Sequence, residues 1–253
     1  SWGLAARGAL VEAGGAGLAR VWTDKDEVWS DDAARLYAQA AAAQWDPASA
    51  IAWDEPFELA PEIEAAVVQL MTYLIENENA ALLVPARHLG QIHPHYREVV
   101  QLLALQCADE ARHVEVFTRR ATLRGGEPGL STAGGQASLK TLFDAPDFST
   151  ATFLLSVLGE GTFVNLLNFL QAHAPDPVTR QIARLAAREA GHLELRRRGL
   201  RRHAGDLRVP HRLERDRPVI LVFEGDLRLG IGAQVRQGAG LADLGAALRP
   251  AVR

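Results

Sequence analysis

Sulfur is scarce in this sequence, since its 253 residues include one cysteine and one methionine. A disulfide needs two cysteines, so Cys107 cannot form one within the chain, and this suits a reducing compartment. No stretch approaches the roughly 18 uncharged apolar residues of a membrane span, and no signal peptide is visible. We therefore expect a cytoplasmic protein with no membrane partner.

A surplus of basic charge is also missing. The chain has 27 basic and 31 acidic residues and a formal net charge of −4. Proteins that bind nucleic acid usually carry a basic face, so no nucleic-acid partner is expected. Hydrophobic residues make up 48% and charged residues 23%, an ordinary globular balance for a chain long enough to bury a full core.

The abundant residues favour helix. Alanine, leucine and arginine are strong helix formers, so the composition indicates an all-α fold. The helical segments expected in the middle of the chain run from about Pro61 to the turn "GQIHPHYR", from Tyr96 to Leu123, from Ser149 to His173, and from Val178 to His203. Short turns join the first two and the last two, and "RGGEPGLSTAGGQASLK" is predicted to be loop. Two hairpins joined by a long crossover have the topology of a four-helix bundle.

The flanks differ from this central segment. Residues 1–60 are predicted to be an extension with one helix, "WSDDAARLYAQAAAAQW", capped by Ser30 or Asp31. A linker broken by prolines follows the helix, and residues 61–203 form the predicted bundle. The tail, residues 204–253, has β-branched residues and glycine turns, which fit either a hairpin or an irregular helical wrap.

One pattern occurs twice. "ADEARHVEVF" contains Glu110 and His113, and "REAGHLEL" contains Glu189 and His192. Residues three apart share one face of a helix, so each pair can bind a metal ion together. A single such pair is more often a surface ion pair. Two pairs, each on the second helix of a short-turn hairpin, predict a shared metal site.

The third predicted helix supplies a matching carboxylate. Glu160 is the only Asp, Glu, Lys or Arg residue between Asp147 and Asp176, within "LLSVLGEGTFVNLLNFL". A charge buried in so apolar a run needs a partner or a metal ion. Glu160 and Glu189 lie at similar distances from the "APDP" turn, so they are expected at one level of the hairpin.

The first predicted helix offers two candidates, Glu76 and Glu78. We favour Glu78, because Leu74 and Leu82 bracket it on the apolar stripe one turn to either side. Glu78 and Glu110 are also similarly distant from the "HPH" turn. Glu76 would then be the solvated neighbour, although spacing alone leaves it as a rival.

Four carboxylates and two histidines facing into a bundle give a resemblance to the ferritin-like di-iron carboxylate superfamily, over residues 60–203. "NENAAL" resembles the first-ligand stretch of bacterioferritins, and "DEARH" resembles the ligand helix of bacterial multicomponent monooxygenases. The resemblance implies two iron ions, with Mn/Fe and Mn/Mn as alternatives. It assigns one ion to Glu78, Glu110 and His113 and the other to Glu160, Glu189 and His192. It makes Glu110 and Glu189 the bridging ligands and the catalytic residues.

The sequence departs from the family pattern at two points. In members with the full motif, the Asp before the ligand Glu supports a histidine of the opposite hairpin, a role that Asp109 would have for His192. The second motif has Arg188 at that position, so no equivalent partner for His113 is implied. Phe117 stands where ribonucleotide reductase small subunits have their radical tyrosine, which argues against that activity.

The resemblance implies an enzyme, a non-haem di-iron oxidase or oxygenase that uses dioxygen on a small organic substrate. The long flanks favour this activity over plain iron storage. An electron-transfer partner and a homodimer are further expectations. A ferroxidase or peroxidase that handles iron or oxidants is the first alternative, and a non-catalytic ferritin-like bundle is the second.

Overall fold

The computed structural model describes residues 4–14, 25–155 and 160–189. This part of the chain is helical and contains no strand, which agrees with the all-α class. None of its helices is long and apolar enough to cross a bilayer. The predicted tail, residues 204–253, lies outside the described residues.

Nine α-helical segments lie in the described residues, and α1, α8 and α9 each adjoin residues outside them. Their bounds are α1 Lys25–Val28, α2 Ala33–Ala42, α3 Pro47–Ala50, α4 Pro61–Leu89, α5 Arg97–Thr122, α6 Ala133–Phe143, α7 Phe148–Phe153, α8 Glu160–His173 and α9, residues 177–189. A short 3₁₀ turn, Pro94–Tyr96, connects α4 to α5.

Helices α4 and α5 form the predicted antiparallel hairpin. Early residues of α4 contact late residues of α5, since Arg120 pairs with Glu64, while Cys107 lies against the carbonyl of Leu82 near the other end. Helix α4 begins at Pro61, where the missing N–H costs nothing. Pro85 lies inside α4, which continues to Leu89.

Three predictions of local structure were wrong. The segment predicted as loop contains α6, because the hydroxyl of Thr132 accepts from Gly135 N and caps the helix, while Leu142 packs in a small core beside α4. The N-terminal extension, predicted to contain one helix, has α1 and α3 besides α2. By contrast, the third predicted helix is helical at both of its described ends, as α7 and α8. The residue before α2 is Asp32, and neither Ser30 nor Asp31 is its cap.

One hydrophobic core contains residues from α4, α5, α8 and α9, together with the segment before α4. Its buried members include Ile51, Trp53, Met71, Leu74, Val116, Phe117, Leu167, Leu170, Ile182 and Ala186. The full bundle topology stays a prediction, because residues 156–159, directly before α8, and the continuation of α9 lie outside the described residues.

A buried ionic cluster joins α4, α5 and the start of α9. Arg120, which has no solvent exposure, donates to both oxygens of Glu64, to Oδ2 of Asp176 and to Oγ1 of Thr179. Asp176 also accepts from the backbone N–H of Thr179, as the N-cap of α9. Because every polar group has a partner, the charges can be buried without a large penalty. The cluster sets the position of α9 along α5.

Candidate metal centre

The structure brings together three of the predicted ligands. Glu78 comes from α4, and Glu110 and His113 come from one face of α5, three residues apart. One potential ligand atom of each residue lies within 4.8 Å of the other two, and all three residues are buried. This cluster can hold a metal ion.

The imidazole of His113 lies between the two carboxylates. Its Nδ1 atom is 3.2 Å from Oε1 of Glu78 and 3.2 Å from Oε2 of Glu110. Oε1 of Glu78 is fully buried, and within the described part of the chain it makes this ion-pair contact with His113 but no hydrogen bond. Leu74 lies one turn before Glu78, and the ring of Phe117 lies 6.2 Å from that of His113. Apolar side chains therefore border the cluster on this side.

The electrostatics of the cluster reflect crowded negative charge. Burial and then the charge of Glu110 raise the pKa of Glu78 to about 8, while His113 acts in the opposite direction. Burial alone would lower the pKa of His113, but the surrounding carboxylates outweigh it and hold this pKa well above 6.5. The residues fit a cation, because two buried carboxylates share one imidazole and a positive ion would balance their charge.

Glu189, another of the predicted ligands, lies at the opposite edge of the His113 imidazole. Its Oε2 atom is 2.8 Å from Nε2 of His113, and its Oε1 atom accepts from Arg112 at 2.7 Å. The motif comparison implied that His113 has no such partner, and this expectation was wrong. A glutamate fills the place, because α9 brings residue 189 rather than 188 to this edge.

The N-terminal extension reaches the same region. Gln44 donates to Oδ1 of Asp109 at 2.7 Å and accepts from Arg112 at 2.7 Å. The guanidinium of Arg112 lies 5.1 Å from the ring centre of Trp45, and it also donates to Asp109. Burial raises the pKa of Asp109, and the hydrogen bond from Gln44 opposes the shift. The segment after α2 thus covers the α5 face beside the cluster.

The remaining predicted site residues have different outcomes. Glu76 is not in the cluster; its carboxylate points towards α6, 3.9 Å from where a Cβ on Gly135 would lie. Glu160 is the first residue of α8, but its side chain is not described. His192 lies outside the described residues, and so does its predicted contact with Asp109.

Sequence reasoning missed the roles of Arg112, Gln44 and Trp45. Arg112 falls within the "DEARH" motif, between Glu110 and His113, so this position was available as a signal. Gln44 and Trp45 carried no signal, because their contacts with α5 span more than 60 residues of sequence and depend on how the extension folds back.

Comparisons with protein-family models, with curated proteins and with solved structures give no match. The ferritin-like resemblance therefore depends on the quoted motifs alone. Over the described residues, the structure defines a helical protein with a buried Glu–Glu–His cluster able to hold a metal ion.

Proposed function

We propose that this protein is a non-haem di-iron oxidase or oxygenase that uses dioxygen on a small organic substrate. The observation that carries the proposal is the buried cluster of Glu78, Glu110 and His113, in which Oε1 of Glu78 has no hydrogen-bond partner among the described residues. Carboxylate and imidazole ligands together suit iron or manganese better than they suit soft metals.

The charge balance supports a resident cation. Burying two carboxylates side by side is costly. The pKa of Glu78 is raised to about 8, so without a cation the cost is reduced by protonation of Glu78. A divalent ion would replace this proton and bind both carboxylates, while Nδ1 of His113 supplied the nitrogen ligand. The same three residues thus fit the ion that the ferritin-like resemblance implies.

The second ion rests on the sequence pattern. The resemblance assigns it to Glu160, Glu189 and His192, and the side chains of Glu160 and His192 lie outside the described residues. When bound, the iron pair supplies the redox chemistry with dioxygen. The protein holds the ligands in place, and its apolar residues, Leu74 and Phe117 among them, exclude water from the cluster.

The N-terminal extension favours an oxidase over a bare iron-handling bundle. A storage protein needs little beyond its four helices, whereas here Gln44 and Trp45 pack on Arg112 beside the cluster. Trp53 and Ile51 enter the main core, so the extension is an integral part of the fold. A covered centre of this kind suits chemistry on an organic substrate, which requires that water be excluded.

Iron content per chain tests the proposal. The purified protein is loaded anaerobically with ferrous iron, desalted and measured by mass spectrometry of the metal. We expect roughly two irons per chain, in line with a di-iron bundle. Admitting oxygen to the loaded protein should then consume dioxygen, and consumption should rise with substrates from a panel of small organic molecules.

A matched pair of variants identifies the site. Glu78→Gln removes a charged ligand and should lose at least half of the iron, whereas Glu76→Gln makes the same chemical change two residues earlier and should lose none. A wild-type protein that takes up no iron, or equal loss from both variants, would contradict the proposal. Iron uptake and oxidation without any substrate dependence would favour the ferroxidase alternative.

A further inference from the structure

The carboxylates around His113 fall into two groups. Glu78 and Glu110 share the Nδ1 edge of the ring, at 3.2 Å each, and Glu189 alone lies at the Nε2 edge, at 2.8 Å. All four side chains are at least 90% buried. Glu189 is not among the residues whose ligand atoms converge to within 4.8 Å. Its carboxylate therefore faces a different part of the imidazole from the metal cluster.

Both oxygens of Glu189 have partners. Oε2 lies at Nε2 of His113, and Oε1 accepts from Nη2 of Arg112 at 2.7 Å. The same Nη2 donates to Asp109, while Nη1 donates to Gln44 and the guanidinium plane lies over Trp45. Arg112 is thus fixed on several sides and holds Glu189 in one place.

We infer that Glu189 is a positioning residue, which accepts the Nε2–H of His113 and directs Nδ1 at the metal, with Arg112 holding the carboxylate there. A metal-bound imidazole coordinates through one nitrogen and carries a proton on the other, and the partner of that proton fixes the tautomer and the ring orientation. This role departs from the ferritin-like resemblance, which makes Glu189 a bridging ligand, and it leaves Glu160 and His192 as the ligands that the resemblance assigns to the second ion. The inference rests on the metal centre proposed above and concerns the ion at Glu78, Glu110 and His113.

Zinc binding and nitrogen NMR of the zinc-loaded protein test the inference, because zinc is diamagnetic and needs no oxygen chemistry. The ring signals of His113 are assigned by their loss in His113→Gln. In the wild type we expect zinc on Nδ1 and a downfield Nε2–H proton. Glu189→Ala should shift the signal of that proton upfield. The near-isosteric Glu189→Gln should weaken zinc binding about 10- to 100-fold, but zinc should still bind at Glu78, Glu110 and His113.

Two further variants separate positioning from ligation. Arg112→Lys keeps the positive charge but loses the paired donors, and Arg112 cannot bind a cation, so weaker zinc binding there supports positioning. Glu115→Gln makes the same change as Glu189→Gln at an exposed site on α5 and should leave zinc affinity unchanged. Circular dichroism checks that each variant is folded.

Three other results would separate the positioning role of Glu189 from the metal centre and from the oxidase function. Coordination through Nε2, or a downfield Nε2–H proton that stays in Glu189→Ala, would overturn the inference and leave the metal centre standing. A wild-type protein that binds no zinc and no iron would overturn both proposals. If zinc binds as expected but the iron-loaded protein consumes no oxygen, the oxidase function alone would be contradicted.

Discussion

Arg120 and Asp176 form an ion pair that water does not reach, with Nη2 2.9 Å from Oδ2 and both side chains 0% exposed. The pair joins the last turn of α5 to the residue just before α9. The carboxylate of Glu64, on α4, accepts two further hydrogen bonds from the same guanidinium. A buried pair adds little net stability compared with apolar residues, but removal of one partner leaves the other charge uncompensated. The register of α9 against α5 therefore depends on Arg120.

Arg120→Met should destabilise the protein by about 3–5 kcal/mol, because Asp176 and Glu64 would keep their burial and lose their counter-ion. Urea denaturation followed by circular dichroism gives the free energy of unfolding. Arg124→Met is the matched control, since Arg124 also lies over the ring of Phe57 but is exposed, and it should cost under about 1 kcal/mol. Equal losses would show that the buried cluster is not special.

Gly129→Ala should destabilise the protein by about 1–3 kcal/mol through overpacking. A Cβ at this position would lie 2.5 Å from Oε1 and 3.1 Å from Cα of Gln69. That oxygen cannot move aside freely, because it accepts from the backbone N–H of Leu130, while Gly129 itself donates to Thr72. Gly126→Ala has no atom within 4 Å of its new Cβ and should change the free energy of unfolding by under about 0.5 kcal/mol. A neutral Gly129→Ala would refute the packing argument.

The metal-free protein should lose stability as pH rises from about 4.5 to about 8. The pKa of Glu78 is raised from 4.5 to about 8 in the folded state, so between these values the folded state keeps a proton that the unfolded state has released. The free energy of unfolding then falls with rising pH, by a few kcal/mol at most. Urea titrations in chelator at several pH values measure this slope.

Glu78→Gln should reduce that slope, since the amide does not titrate, and the raised pKa values of His113 and Asp109 account for the slope that remains. The variant should also make the metal-free protein more stable than the wild type near pH 8. Glu76→Gln should keep the wild-type slope, because Glu76 lies outside the cluster. If both variants retained the slope, its origin would lie in other groups of the chain.

Cys107 should react slowly with thiol reagents. Burial and then the negative charge of Glu110 raise the pKa of this thiol above 9.0, and its Sγ atom lies 3.7 Å from the carbonyl oxygen of Leu82. At pH 8 we expect labelling roughly tenfold or more slower than in the urea-unfolded chain, because the thiolate is the reactive form. It is the single cysteine, so the rate has one source. Equal rates in both states would contradict the placement of α5 against α4.

Much of the α4–α5 half could be predicted from sequence, and the reason is local. The apolar stripe of α4 and the three-residue spacing of Glu110 and His113 each follow from helical periodicity, which fixes which residues share a face. The choice of Glu78 over Glu76 agrees with the same stripe, because Leu74 lies one turn before Glu78 and is fully buried. Helix α6 was missed because its first turn contains Gly134 and Gly135, which resemble loop.

The sequence by itself determined the helical class and the two residue pairs, because hydrophobic period and composition act over a few turns of chain. The tertiary structure decided what those residues face. It placed Glu189 at Nε2 of His113, and it placed Arg112 between Glu189 and Gln44. These contacts join residues 68 to 77 positions apart in sequence. They depend on the rotation and register of packed helices, which no local pattern specifies.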